Sequence, residues 1–338
     1  MNASKIKGSL LEYVIRNILT NCGFTKVKPD GKYIFTDRGL NFIHGKGASH
    51  DADVLMNPPI QMPFSYPYRI NFECKAYNKK TGLTIVRNAL GLRYDINEFE
   101  ILTEEQLELR KNLRRTQYAI ADRIRYNYQI GVASIEDFTK DAFEFAANNK
   151  IPLISLRWFL EDSICDLFHS LTDDYLNQIY SEEQQNNLLL FLKGNDDFYS
   201  LFSQDIPSHI KTILNALNDF KSNVIIGLLE SGDMLFLLSN SNINKYFLKK
   251  QENLSARYTY FGGENLDYWT IYINDELRLN FYLPVRIFNL WRQENFNAET
   301  AINLKEKHFA KMFVFFRYEG ENVLKIINID EVWISSIR

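Results

Sequence analysis

Cysteine is scarce in this chain of 338 residues: Cys22, Cys74 and Cys165 are odd in number and far apart. They form no CxxC pair and fall short of the density of a disulfide scaffold, which argues against a stapled secreted module and for a reducing compartment, the cytoplasm. No Cys or His occurs at zinc-ligand spacing, so a structural zinc site is not expected. Long apolar runs are missing as well. No segment approaches the roughly 18 apolar residues needed to cross a bilayer, and the opening MNASKIKGSLLEY lacks the apolar stretch of a secretion signal. A soluble protein with no membrane partner is the expectation. The Gly-Lys-Gly at 45–47 has neither a GKS/T ending nor a following helix, so it reads as a turn and not as a phosphate-cradling loop.

A strong net charge is also lacking. The formal value is −3, but residues 1–130 carry 20 Lys+Arg against 13 Asp+Glu, and the remainder carries 19 against 29. Positive charge thus leans toward the N-terminal part, a difference that shrinks to +3 against −6 when the cut is placed at residue 168. What the chain does have is core-forming material, with 46% apolar and 14% aromatic residues, enough for two packed domains. The texture changes near residue 169, which sets the expected division at 1–168 and 169–338.

Leu11, Val14, Ile15, Ile18 and Cys22 recur at helical spacing and predict a helix over 5–22 with Gly23 as its C-cap. Strands are predicted at 32–36, 50–56 and 69–77, then helices over 83–93 and 103–127. YQIGVASI reads as a short strand, TKDAFEFAANN as a helix capped by Thr139, and IPLISL as a strand followed by a helix from about 157. This order predicts an α/β fold, a mixed central sheet flanked by helices. Beyond 169, polar helical segments precede short aromatic-rich strands, which predicts a second α+β domain at the C-terminus. Its aromatic stretches YFGG, DYW and LNFYLP are explained mostly by core packing.

INFECKAYNKK, residues 70–80, places Glu73 and Lys75 on the same face of a strand, because side chains alternate. Upstream, GASHDADVLM puts Asp51 and Asp53 on one face of another short strand. Pairing of the two strands brings a carboxylate up to the Glu73/Lys75 pair. Two carboxylates offer the hard oxygen ligands that Mg²⁺ or Mn²⁺ takes, and the lysine can orient water or offset charge on a phosphorus centre. Glu12 lies roughly 100° from the centre of the first helix's apolar stripe and can reach over the sheet edge. The residues leave open whether Asp51 or Asp53 is the ligand, and a Glu-x-Lys by itself is also an ordinary cross-strand ion pair.

The order of Glu12 on a helix, Asp53 after a Gly-containing turn and Glu73-x-Lys75 resembles the PD-(D/E)XK restriction-endonuclease-like nucleases. The segment from YQIGVASI to IPLISLRWFL resembles the closing strand, helix and strand of their Mrr-like branch. The resemblance covers roughly residues 5–160. Ala52 stands where the family name has proline, and Glu73 where Mrr-like proteins often have glutamine. What it implies is a Mg²⁺-dependent (or Mn²⁺-dependent) endonuclease acting on DNA phosphodiester bonds in restriction or anti-phage defence. Asp53 and Glu73 would be metal ligands, Lys75 the catalytic lysine and Glu12 an accessory acid, with attack by a water oriented by the metal or by Lys75.

Lys79 and Lys80 follow the site directly and are placed to meet a nucleic-acid backbone. In the helix predicted over 103–127, Arg110 and Arg114, with Lys111 and Arg115, stand four apart and could track phosphates. His44 and His50, flanking the Gly-Lys-Gly turn, read as ordinary loop histidines. A homodimer fits cutting of both strands, and the expected business of the C-terminal domain is to recognise a target, a modification, a protein partner or a signal. The alternative is a catalytically inactive DNA-binding or protein-interaction component that keeps the nuclease fold.

Overall fold

The computed structural model describes residues 3–37, 40–61, 65–100, 104, 105, 108, 111, 125–158, 160–194, 206, 208–260 and 266–338. In chain order, helix α1 (Ala3–Asn21) leads to strands β1 (Thr25–Lys26), β2 (Ile34–Asp37), β3 (Leu40–His44), β4 (Ser49–Asp51), β5 (Val54–Asn57) and β6 (Tyr68–Lys75). Helix α2 (Leu83–Asn97), strand β7 (Asn127–Ser134), helix α3 (Lys140–Asn148) and strand β8 (Leu153–Ser155) complete the N-terminal part. The architecture is mixed α/β. Its five-stranded sheet has the order β1-β5-β6-β7-β8, antiparallel up to β6 and parallel from β6 to β8. β2, β3 and β4 form a separate small antiparallel sheet.

α1 forms because its apolar residues share one face: Ile6, Leu10, Leu11, Val14, Ile15, Ile18 and Leu19 are all buried. It ends where expected, with Gly23 at φ +91° and the Phe24 N–H returning to the Leu19 carbonyl at 3.0 Å. Against α1 lie Ile70, Phe72 and Cys74 of β6, in one apolar cluster. The other face of β6 carries Arg69, Asn71, Glu73 and Lys75. There Val86 and Ala89 of α2, Ile130 and Val132 of β7 and Ala142 and Ala146 of α3 build a second cluster. Thr139 caps α3 through its side-chain oxygen, which accepts from the Ala142 N–H.

Three expectations shift. The strand expected over 50–56 is two strands in different sheets, broken at Ala52 and Asp53 because β4 pairs with β3 and β5 with β6. Asp51 and Asp53 therefore do not share a strand face. The helix expected from 157 is a 3₁₀ turn over Leu156–Trp158, and a helix starts only at Asp162. Of the helix expected over 103–127, most lies outside the described residues, including Arg110, Arg114 and Arg115; residues 125 and 126 are not helical and Asn127 begins β7.

Helices α4 (Asp162–Ser170), α5 (Asp173–Ile179), α6 (Glu182–Leu192) and α7 (Ser208–Lys221) follow. Phe168, Leu188, Ile210 and Ile213 join the apolar cluster under α1, so these helices share their core with the five-stranded sheet. Next come β9 (Val224–Leu229), β10 (Met234–Leu238), α8 (Lys245–Lys250), β11 (Leu254–Tyr260), β12 (Tyr268–Ile273), β13 (Leu277–Tyr282), α9 (Val285–Gln293), α10 (Ala298–His308), β14 (Lys311–Tyr318), β15 (Glu321–Ile329) and α11 (Glu331–Ser336). The seven strands close into a barrel, β10-β13-β12-β11-β15-β14-β9, a closure that the sequence reading did not anticipate. Tyr258, Trp269, Phe281, Trp291 and Phe309 fill its core, which accounts for the aromatics of DYW and LNFYLP as packing; most of YFGG lies outside the described residues. Among the described residues no helix is long and apolar enough to cross a membrane.

Candidate active site

The antiparallel register pairs Val54 with Phe72, Leu55 with Asn71 and Met56 with Ile70. One step further along the same ladder sets Asp53 across from Glu73. Asp53 sits at the bend where the chain leaves the small sheet for β5, and its Oδ2 accepts the Cys74 N–H at 2.8 Å. That bond fixes the carboxylate beside β6. Lys75 Nζ donates to Glu73 Oε2 at 3.1 Å, with the two side chains 27% and 19% exposed. The pair is thus reachable from solvent without lying in it.

Crowded carboxylates in a half-buried place raise one another's affinity for protons. Burial and then the Glu73 charge push the Asp53 carboxyl above its ordinary value, against the Cys74 N–H and Lys75. Glu12 of α1 is pushed up to about 8, first by burial and then by Asp53, with Arg16 one turn on opposing the shift. For Lys75, burial alone pulls downward, but the charges of Glu73 and Asp53 and the hydrogen bond to Glu73 outweigh it, and the ammonium is held above its usual range. Glu12, Asp53, Glu73 and Lys75 therefore form one electrostatic neighbourhood, centred on Asp53. Asp51 also adds to the field at Glu12 and Asp53, although it is exposed at the end of β4. Among the described residues, no group of three or more His, Cys, Asp and Glu side chains is arranged to hold a metal ion.

An open cleft of about 560 Å³ runs past this neighbourhood, between β6, β4 and α2. Glu73, Lys75 and Tyr77 line one side, His50 and Asp51 another, and Arg87, Asn88, Gly91 and Asp95 of α2 a third. Asp53 and Glu12 are not among the residues that line it. Lys79 and Lys80 are exposed in the loop that leaves β6 for α2, as their position in the sequence required. Lys111 is exposed with an ion pair to Glu108, while the remaining basic residues singled out on that segment lie outside the described residues.

The histidines are not loop residues. His44 ends β3, where its Nδ1 pairs with Ser49 Oγ at 2.9 Å, and His50 lies in β4, its Nε2 2.7 Å from Asp95 Oδ2. Sequence reasoning missed this second contact because Asp95 is 45 residues downstream, half-buried on a helix, with no local pattern tying it to His50.

Comparison with known proteins adds little. No family model and no curated protein matches the chain. Among solved structures it is similar to the crystal structure of the protein of unknown function AF1548, at 13% identity and a TM-score of 0.33, over 62% of this chain and 95% of that one. A likeness that distant carries no argument about activity.

Proposed function

We infer that the protein is a metal-dependent endonuclease with a restriction-endonuclease-like N-terminal part, hydrolysing DNA phosphodiester bonds in restriction or anti-phage defence. The observation that supports it best is the meeting of Asp53, Glu73 and Lys75 at one end of paired strands, beside an open cleft. Two carboxylates, Glu73 on β6 and Asp53 at the bend that leads into β5, fit Mg²⁺ or Mn²⁺, which keeps most of its coordination sphere for water and phosphate oxygens. The raised proton affinity of Asp53 comes first from burial and then from the Glu73 charge, which Lys75 offsets only in part. A divalent cation held by Asp53 and Glu73 would polarise the phosphoryl group and balance that charge.

The chain's own residues do the rest. Cys74 N–H and the strand pairing hold Asp53 in place. Lys75, kept protonated by its carboxylate neighbours, orients a water toward the phosphorus and stabilises charge on the non-bridging oxygens as the bond breaks. Lys79 and Lys80 meet the flanking backbone phosphates. The second reading is an inactive DNA-binding or protein-interaction component, favoured by the absence of a three-ligand group among the described residues and by the engagement of Glu73 Oε2 with Lys75.

Supercoiled plasmid incubated with the purified protein, with and without Mg²⁺ or Mn²⁺, tests the first reading. Metal-dependent nicking or linearisation that disappears in Lys75→Ala is the expected result. Binding of DNA with no cleavage under any metal, together with no Mn²⁺ heat signal lost on Asp53→Ala, selects the second.

A further inference from the structure

The far wall of the cleft carries a built pair that the metal-and-lysine reading does not use. His50 Nε2 lies 2.7 Å from Asp95 Oδ2, and the turn before β4 is folded around the carboxylate of Asp95. Gly47 N–H donates to Asp95 Oδ1 at 2.8 Å, and Lys46 N–H donates to the Asp95 backbone carbonyl at 2.9 Å. A side chain at Gly45 has no room: its Cβ would collide with Asp95 Oδ2 and come within 2.8 Å of His50 Nε2. These bonds hold the Asp95 carboxyl below its ordinary range, the His50 hydrogen bond first among them. Asp95 stays ionised and accepts, so Nε2 carries a proton, and the second ring nitrogen, Nδ1, has no hydrogen-bond partner among the described residues.

A clamp between a small sheet and a helix needs neither a histidine nor a place in the cleft. Here His50 lines the same cleft as Glu73 and Lys75, with Asp51, Arg87 and Asp95 as the other charged groups around it. Gly91, on α2 between Arg87 and Asp95, has nothing within 4 Å of where a Cβ would be, so no side chain fills the cleft at that point of its lining.

We propose that His50, oriented by Asp95, is the general acid for the leaving oxygen on the side of the scissile phosphate opposite Lys75. The inference rests on the nuclease reading. In the step, the water oxygen bonds to phosphorus and gives its proton to solvent, the bond from phosphorus to O3′ breaks with its electron pair going to O3′, and that oxygen takes the Nδ1 proton of the imidazolium. The products are a 3′-hydroxyl and a 5′-phosphate, and His50 is reprotonated from solvent.

The test compares two oligonucleotide duplexes, one with an ordinary phosphodiester and one with sulfur replacing the 3′-bridging oxygen, a leaving group that needs no proton. In Mn²⁺, His50→Ala is expected to cut the ordinary duplex slower by about 10²-fold or more and the sulfur duplex at a rate near wild type. Asp95→Asn should show the same pattern with a smaller loss, and Lys75→Ala should lose both substrates. Equal slowing of His50→Ala on both duplexes, or no slowing on the ordinary one, overturns the assignment and leaves the nuclease reading standing. Wild-type protein silent on both duplexes overturns the nuclease reading and this inference with it. Should thermal unfolding show His50→Ala to be misfolded, the Asp95→Asn ratio between the two duplexes decides by itself.

Discussion

The Cys74 N–H donates to Asp53 Oδ2 at 2.8 Å, so a carboxylate lying outside any strand is nevertheless locked to the strand that carries Glu73 and Lys75. This one bond gives Asp53 a structural role beside the metal-ligand role proposed for it.

The two roles separate by substitution. Asp53→Asn keeps an oxygen for the Cys74 N–H, whereas Asp53→Ala leaves that donor without its partner, at a cost of about 1–3 kcal/mol. Urea unfolding should therefore rank wild type and Asp53→Asn together above Asp53→Ala. Calorimetry with Mn²⁺ should show binding lost in both variants.

Stability should fall as pH rises from the ordinary carboxylate range to about 8. Glu12 ionises near 4.5 in the unfolded chain but only near 8 in the folded one, so between those values the folded state holds the extra proton and raising pH favours unfolding. Asp53, raised in the same direction, adds to the trend. The expected loss across the window is of order a few kcal/mol. Thermal melts at pH 5 and pH 8 check it: Glu12→Gln should flatten the difference, and a divalent cation should restore stability most at pH 8.

Two glycines should respond to alanine with opposite signs. Gly131 of β7 pairs with Phe72, whose ring Cδ1 would lie 2.6 Å from an added Cβ, so Gly131→Ala overpacks the sheet and should cost about 1–3 kcal/mol. Gly91 is in the middle of α2 with open space around it, and Gly91→Ala should add up to about 1 kcal/mol from helix propensity. Denaturant midpoints distinguish the two.

Thr139→Ala should destabilise by about 1 kcal/mol, because the hydroxyl oxygen that accepts from the Ala142 N–H at the start of α3 is lost. Thr139→Ser should restore most of it, and differential melting of the three proteins reads the effect.

What the sequence made legible was whatever local periodicity and chemistry encode. The α1 stripe, its Gly23 cap, the Thr139 cap and the shared face of Glu73 and Lys75 all follow from spacing within one element. Asp53 opposite Glu73 was reached through the wrong local picture, since the chain breaks at Ala52 and Asp53 and sends β4 and β5 to different sheets. Alternation along 50–56 looks the same whether or not the strand is cut, so only tertiary pairing decides. The His50 and Asp95 contact joins residues with no pattern in common, and barrel closure depends on β11 meeting β15 across more than 50 intervening residues. Neither relationship leaves a trace at short range.

The ring formed by β9 to β15 has no first or last strand. Two of its joints are short, with β10 meeting β13 only at Leu238 and Asn280 and β11 meeting β15 only over Leu254–Ala256 against Ile327–Ile329, so the rest of β10 and of β15 has a strand on one side alone at these joints. Mutational searches for a partner surface therefore belong at those half-paired stretches of β10 and β15 as well as on the outer wall, the helices and the connections at the two mouths.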